Sequence, residues 1–506
     1  MKFKCDKTAQ PSLFAFSFRD LVDQDSDVWL YIELFEGLDL SNFEKVYAGE
    51  GQVPIDPVLI LRTMFYGLTH RVVSNRELTR SCRYDNRYIV LSGNTRPDRR
   101  TIDRFLIRHR KNISKLFVQI VDIAKEMNMV KLGKIAIDGS RFKGNTKVDG
   151  MKYGKMDTAI LQLEEELKKL HQSTEEDVDD HDDDLPTNLK KKEDRLKKIR
   201  EAKKKIEEEY AKREQKSNNR KIENITRSLN DPDALAMSYK NQKKAFIYGY
   251  NTQIAVDSEN QIIVSSMVHD KAQDYQALPL LVDKIKELYG KFPEDILADL
   301  GYKSIGNIVT LSAKEINAYI ATGSNEYQMV DEDIHALEQI SYNKDKNHYT
   351  CMKGKVFSYN YKKERGGRIE LRKAPLFCND CNLCKKCKLF EKKTISVPAG
   401  DKLKIMQKYY EQSRTEEFSE VYRRRKVIVE PVFGNIKNKG MKILVNGREK
   451  VENWFNMACI AHNIEKIVGR RRALNRPLKE FIKKGNEFFD YFLSLWSIRE
   501  NFLVIL

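Results

Sequence analysis

Between Phe246 and Ala321 the chain switches repeatedly between two hydrophobic periods, and few folds accept that order. Phe246, Tyr248, Tyr250, Thr252, Ile254 and Val256 share one parity, as the two-residue repeat of a strand requires. Ser258 to Asn260 supplies a hairpin-like turn into a second apolar run, Gln261 to Val268. A helical stretch around Ala277 to Leu288 follows, then a strand at Asp295 to Asp299, a helix from Lys303 and a strand at Ile316 to Ala321. With Lys134 to Asp138, a short apolar run ending in an acid, the order is three strands, then helix, strand, helix, strand. This alternation predicts an α/β layer domain on a mixed sheet.

The flanks read differently. Residues 1–130 are helical in pattern: Asp56-Pro57 forms an N-cap and first-turn pair before Val58 to Tyr66, with Gly67 expected to loosen or end that helix. Ser74 to Glu77 has the form of a capping box, and Pro97 to Arg110 gives a further helix that is basic outside Ile102, Phe105 and Leu106. Short helices with a basic last member predict a helix-turn-helix-like DNA-binding domain. Within the core, assigned to 131–322, a charged insertion at about 155–215 keeps leucine and isoleucine at 3/4 spacing between Glu and Lys, as an antiparallel coiled-coil hairpin does. The acidic run Glu175 to Asp184 would form its solvated tip. Residues 323–420 form a Cys-rich insertion, and 421–506 return to the core and end in amphipathic helices, Trp454 to Ile467 and Leu478 to Phe489.

Composition narrows the partners. A net charge of +17 over 506 residues suggests a polyanion, and the absence of a long apolar run or signal-like start makes nucleic acid the expected one, in the cytoplasm. Cys378, Cys381, Cys384 and Cys387 are clustered at intervals that suit a soft metal better than disulfides, with Cys351 as a further ligand candidate. Structural Zn²⁺ is the first reading; an iron–sulfur cluster and a metal-free loop stay open beside it.

Three acids stand out by position. Asp138 and Asp299 each end a predicted strand, and Glu430 precedes Pro431 at the expected start of a helix. Open α/β sheets place their sites at strand carboxyl ends, and three carboxylates gathered there need a cation. Divalent metal, with Arg and Lys around Glu430 to hold phosphates, is what phosphodiester chemistry on DNA requires.

The segments Ile137 to Lys143, Asp231 to Ala234, Gly249 to Gln253, Leu297 to Tyr302 and Val429 to Lys437, in this order, resemble bacterial insertion-sequence transposases of the DDE, RNase H-like type. Pro54 to Phe105 is similar to the helical domain that precedes the catalytic domain in that family, and the four-cysteine segment to an insertion found in some members. The resemblance implies Asp138, Asp299 and Glu430 as the catalytic triad holding Mg²⁺ or Mn²⁺, two ions together. It implies Tyr422, an arginine and Lys437 as DNA contacts, and transposition as the activity: cleavage at the terminal inverted repeats and transfer into target DNA. A homodimer in the synaptic complex, working at the bacterial nucleoid, is expected with it. This chain departs from the family's Tyr, Arg, Glu, Lys spacing: four residues separate Arg425 from Glu430, and Lys426 stands where the arginine belongs. Arg425 and Lys426 are both candidates for that cation.

Overall fold

The computed structural model describes residues 4, 17–47, 53–146, 150–175, 187–214, 221–238, 246–323, 337–373, 378 and 393–474. Helices α1 (Val28–Glu36), α2 (Ser41–Glu44), α3 (Pro57–Thr69), α4 (Asn75–Tyr84), α5 (Asn86–Leu91), α6 (Arg99–Arg108) and α7 (Arg110–Glu126) form its N-terminal part. Side chains set several of their starts. Asp56 accepts from the Val58 N–H at 2.9 Å, Ser74 from Glu77 at 3.1 Å and Asp98 from Thr101 at 2.7 Å. Gly67 does not end α3, which runs on to Thr69. A Cβ there would stand 3.0 Å from Leu78 Cδ1 and 3.2 Å from the Val72 carbonyl, so glycine serves close packing of α4 on α3. The short helix α5 is an element the sequence pattern did not single out. Buried Arg62 on α3 holds its end: Nε donates to the Leu91 carbonyl at 2.6 Å, while Nη1 pairs with Glu36 of α1 at 3.2 Å.

The central sheet contains β1 (Lys134–Lys143), β4 (Leu235–Ser238), β5 (Phe246–Asp257), β6 (Ile263–His269), β7 (Asp295–Ala298) and β8 (Asn317–Ile320). Strands β4 and β6 share one flank of β5; β5 pairs antiparallel with β1, and β7 and β8 follow in parallel. The fold is mixed α/β on a mixed sheet. Helix α10 (Ala277–Tyr289) links β6 to β7, and α11 (Ile305–Ala313) links β7 to β8. Only the first four residues of β1 pair with β7, whereas its pairing with β5 continues to Lys143. The two long strands therefore project past the end of β7 as a ribbon.

Two short strands, β2 (Gly150–Lys152) and β3 (Thr226–Ser228), pair at the base of a helical hairpin formed by α8 (Met156–Glu175) and α9 (Thr187–Glu214). Leu167, Leu189, Leu196, Ile199 and Ile206 are buried between them. Ion pairs Glu166–Lys192, Glu164–Arg200 and Asp157–Lys203 descend one helix as they ascend the other, so the hairpin is antiparallel. Residues 176–186, which include most of the acidic run, lie outside the described residues, as does the predicted helix from Leu478 to Phe489. Strands β9 (Ile340–Asn343), β10 (His348–Cys351), β11 (Ser358–Arg365), β12 (Arg368–Arg372) and β13 (Thr394–Pro398) lead to a helix at Lys402–Gln412. Two long helices follow, Glu416–Asn438 and Arg448–Leu474. Among the described residues no helix is long and apolar enough to cross a membrane.

The C-terminal helix seals an open sheet edge. Asn463 accepts from the Ile263 N–H at 2.9 Å and donates to its carbonyl at 2.8 Å, taking the place of a neighbouring strand along β6. At the β5–β6 turn, Gln261 joins both long helices: its side-chain amide donates to the Val427 carbonyl at 2.8 Å, its side-chain oxygen accepts from Lys466 at 2.7 Å, and its backbone carbonyl accepts from His462 Nε2 at 2.9 Å.

Two predictions follow from this packing. Burial lowers the His462 pKa from 6.5 to about 4, so the unfolded chain takes up this proton at a higher pH than the folded one. The stability tied to the neutral ring is complete above about pH 6.5 and is lost as pH falls towards 4. Thermal unfolding at pH 7 and pH 5 should show a drop, and His462→Gln should remove a part on the order of 1–2 kcal/mol of it. Arg62→Met strands the carbonyls at the end of α5 and should destabilise the protein by about 2–3 kcal/mol in urea unfolding.

Candidate active site

Strand register decides which acids meet. In the parallel pair of β1 and β7 the last partners are Ile137 and Ala298, so Asp138 on β1 and Asp299 just past the end of β7 come next. Strands in a sheet lie about 4.8 Å apart, which sets these two residues side by side, and the charges of both act on the Tyr302 hydroxyl. Asp138 lies in the middle of β1, not at its end as the sequence pattern suggested; the apolar run stops there because the pairing with β7 stops there. Asp299 follows β7 directly and opens a short 3₁₀ turn, Leu300–Tyr302, accepting from the Gly301 N–H at 2.9 Å. Asp138 accepts from the Gly139 N–H at 2.9 Å.

Glu430 arrives from the helix Glu416–Asn438. The expectation that it heads a helix is corrected: Thr415 is the N-cap, accepting from Phe418 N–H at 3.2 Å, and Glu430 and Pro431 lie in the helix interior. An internal proline cannot donate to the carbonyl four residues back, here that of Val427. Gln261 supplies the missing donor, which is why the helix continues through Pro431. The helix lies along β1. Arg425 Nη1 is 3.7 Å from Asp138 Oδ2, and its Nη2 is 3.9 Å from Glu430 Oε1. Further along, the Lys437 ammonium sits 5.5 Å from the centre of the Phe142 ring. Glu430 and Lys437 are thus presented at the levels of Asp138 and Phe142, which share one face of β1.

The two candidate cations differ in environment. Arg425 is 3% exposed and faces two of the acids; Lys426 is half-buried. Tyr422 is buried with its ring stacked on Phe418, Glu430 is 55% exposed in its side chain, and Lys437 is exposed. Trp454 packs against the core, edge-on to Phe142.

The sequence reading missed a set of polar residues behind this rim. Gln253 pairs with Gly139 across β5 and β1, and a Cβ on Gly139 would fall 2.2 Å from Gln253 Nε2. Only glycine leaves room for that amide. Gln253 Nε2 donates to Asp274 Oδ1 and to Asn251 Oδ1, each at 2.8 Å, and Asn251 Nδ2 donates to Asp274 Oδ1 at 2.8 Å. Tyr302 donates its hydroxyl to Gln253 Oε1. Burial, then the negative charges of Asp274, Asp138 and Asp299, push the Tyr302 pKa well up and keep the phenol protonated as a donor. Asn251 and Gln253 lie in the segment Gly249 to Gln253 that carries the family resemblance, but nothing local distinguishes Asp274 from Asp270 four residues earlier.

The oxygens of Asp138 and Asp299 are the hard donors that Mg²⁺ takes, and Mg²⁺ is commonly held by one or two carboxylates with waters and substrate phosphates. The adjacent pair fits that use. Among the described residues no three His, Cys, Asp or Glu side chains stand together as a closed ligand set, and Glu430 meets Asp138 through Arg425. Of the cysteine cluster, Cys378 is described, half-buried with a free thiol; Cys381, Cys384 and Cys387 lie outside the described residues.

On the helical head, Arg76, Arg80 and Arg83 of α4 and Arg99, Arg100, Arg104 and Arg108 of α6 are exposed. Asn75 joins the two helices by donating to Asp103 at 2.6 Å.

Comparison with family models gives two matches. Residues 16–108 match a transposase domain (DUF772), spanning α1 to α6, and residues 350–468 match a transposase DDE domain that includes Glu430. No curated protein and no solved structure matches the chain. With one transposase model on its helical head and another on the stretch that carries Glu430, the chain is similar over these two stretches to insertion-sequence DDE transposases.

Proposed function

We propose that this transposase binds the terminal inverted repeats of its element, cleaves DNA there and joins the freed 3′-hydroxyl to target DNA, with Asp138, Asp299 and Glu430 as its metal-holding acids. The reading rests above all on the register that sets Asp138 beside Asp299, with Arg425 between Asp138 and Glu430. The strand order, three antiparallel strands followed by two parallel to β1, supports an RNase H-like core.

Bound Mg²⁺ or Mn²⁺, as a pair, would activate the attacking water or 3′-hydroxyl and stabilise the leaving oxygen. The chain's own residues do the rest by position and charge. Asp138 and Asp299 form the fixed base of the site, each held by a backbone N–H. Glu430 is exposed on the facing helix, which leaves its carboxylate open to a bound DNA strand. Arg425 holds the acids' charge in check before metal and DNA arrive and can then turn its guanidinium to a phosphate, which a lysine cannot bind in the same two-pronged way. Lys437, exposed above Phe142, contacts a phosphate further along the strand. The arginines of α4 and α6 bind the element's end, and pairing two ends calls for two copies of the chain.

The test is a labelled duplex carrying the inverted repeat, incubated with the full chain, Mg²⁺ and a target plasmid. Asp138→Asn, Asp299→Asn and Glu430→Gln should each lower cleavage by more than about 100-fold, since even outer partners of metal ligands are worth roughly 10–100-fold. Binding to the repeat should persist. Unchanged cleavage would remove these residues from the site, cleavage without joining would make the chain a nuclease, and binding without cleavage by wild type would leave a DNA-binding protein. Arg100→Ala and Arg104→Ala on α6 should each reduce the slope of log affinity against log salt by about 0.9, the share of one phosphate contact. An unchanged slope would move the DNA-binding face elsewhere.

A further inference from the structure

We infer that Asp274 is a positioning residue of the catalytic centre, setting Asp138 and Asp299 through an amide and phenol relay; this rests on the metal-centre reading above. Asp274 lies between β6 and α10, on neither of the strands that carry those acids. Its Oδ1 is fixed by two donors, Asn251 Nδ2 and Gln253 Nε2, both at 2.8 Å. Asn251 also donates to the Lys271 carbonyl at 3.1 Å, so the loop entering α10 is fastened to β5 at two points.

From Asp274 the relay runs two ways. Gln253 lies over Gly139, the residue whose N–H holds Asp138, and so sets the height of β1 at the catalytic acid. Through its oxygen Gln253 receives the Tyr302 hydroxyl, and Tyr302 closes the turn by donating its N–H to the Asp299 carbonyl at 3.1 Å. An amide side chain can rotate by half a turn and exchange its oxygen for its nitrogen. The Asp274 carboxylate removes that freedom, because as an acceptor it takes only the NH₂ end of Gln253. The Gln253 oxygen is thereby presented to Tyr302.

A second observation points the same way. Asp274 Oδ2 accepts no hydrogen bond among the described residues, and it lies 3.6 Å from the point where a Gly301 Cβ would be. Asp299 Oδ1 lies 3.0 Å from that same point. Asp299 Oδ1 is held there by the Gly301 N–H, so two carboxylates stand beside one glycine, and like charges so placed favour a cation nearby. The negative charge of Asp274 therefore adds to the field that draws a divalent ion to the Asp138–Asp299 pair.

The experiment measures Mn²⁺ binding to the full chain without DNA, by loss of the free-ion EPR signal, together with thermal unfolding in the absence of metal. Asp274→Ala should weaken Mn²⁺ binding about 10–100-fold, with Asp274→Asn recovering part of the loss because it keeps an acceptor oxygen. Combining Asp274→Ala with Tyr302→Phe should cost little more than the worse single change, as for two links of one relay. Metal-free melting temperatures of Asp274→Asn and Tyr302→Phe should stay near that of wild type. Unaltered Mn²⁺ affinity in Asp274→Ala, or fully additive losses in the double variant, would overturn the inference. Asp138→Asn separates the two levels. If it loses Mn²⁺ while Asp274→Ala does not, the relay alone fails; if it binds Mn²⁺ as wild type does, the metal-centre reading fails and the relay with it.

Discussion

The parallel pairing of β1 with β7 is the constraint on which the rest of the site depends. Four residue pairs set the register, and the fourth, Ile137 with Ala298, leaves two aspartates side by side where β7 ends. Shifting either strand by one residue would turn its acid to the other face of the sheet. The buried flanks prevent that slip: Ile135, Ala136, Ile137, Ile296, Leu297 and Ala298 are all excluded from solvent. The ion pair of Lys134 with Asp295, 2.9 Å, closes the other end of the same four-residue ladder. Hydrophobic burial thus fixes where two like charges sit, and like charges held side by side favour a cation beside them.

The helix of Glu430 brings a cation, Arg425, to this pair. It is packed by Val429, Val432, Phe433 and Ile436, while Arg425 carries a guanidinium into the acids from the same buried side. Its proline, which would break an unsupported helix, is accommodated because the β5–β6 turn provides a substitute donor. The contact also ties the hairpin turn to the helix of Glu430, and through His462 and Lys466 to the helix Arg448–Leu474. That last helix packs on α7 and α3, so one continuous core links the sheet with the basic helices of the head.

Much of this was legible in the sequence, for reasons of period and capping. The strand parity from Phe246 to Val256, the caps at Asp56 and Ser74 and the 3/4 spacing of the helical hairpin are local signals, and the elements formed where those signals lie. Less legible was anything that depends on a distant partner. Glu430 and Pro431 read as a helix start because the donor that rescues the Val427 carbonyl, Gln261, is far away in the chain. Asp138 read as a strand end because the apolar run stops there, although the strand continues with β5 alone beside it. Gly67 reads as loosening or ending its helix, whereas the helix runs on and Gly67 makes close contact with Leu78. The choice between Arg425 and Lys426 could not be made from spacing; burial beside Asp138 distinguishes them in environment. Asp274 gave no local sign, since its significance comes from two amides on β5.

We propose that the β1–β7 register builds a divalent-metal centre from Asp138 and Asp299. Anomalous diffraction from crystals of the full chain soaked in Mn²⁺ tests it most directly. An anomalous peak is expected at the Asp138–Asp299 pair and should be lost in Asp138→Asn. A peak elsewhere in the sheet, or one at this pair that persists in Asp138→Asn at equal strength, would contradict it.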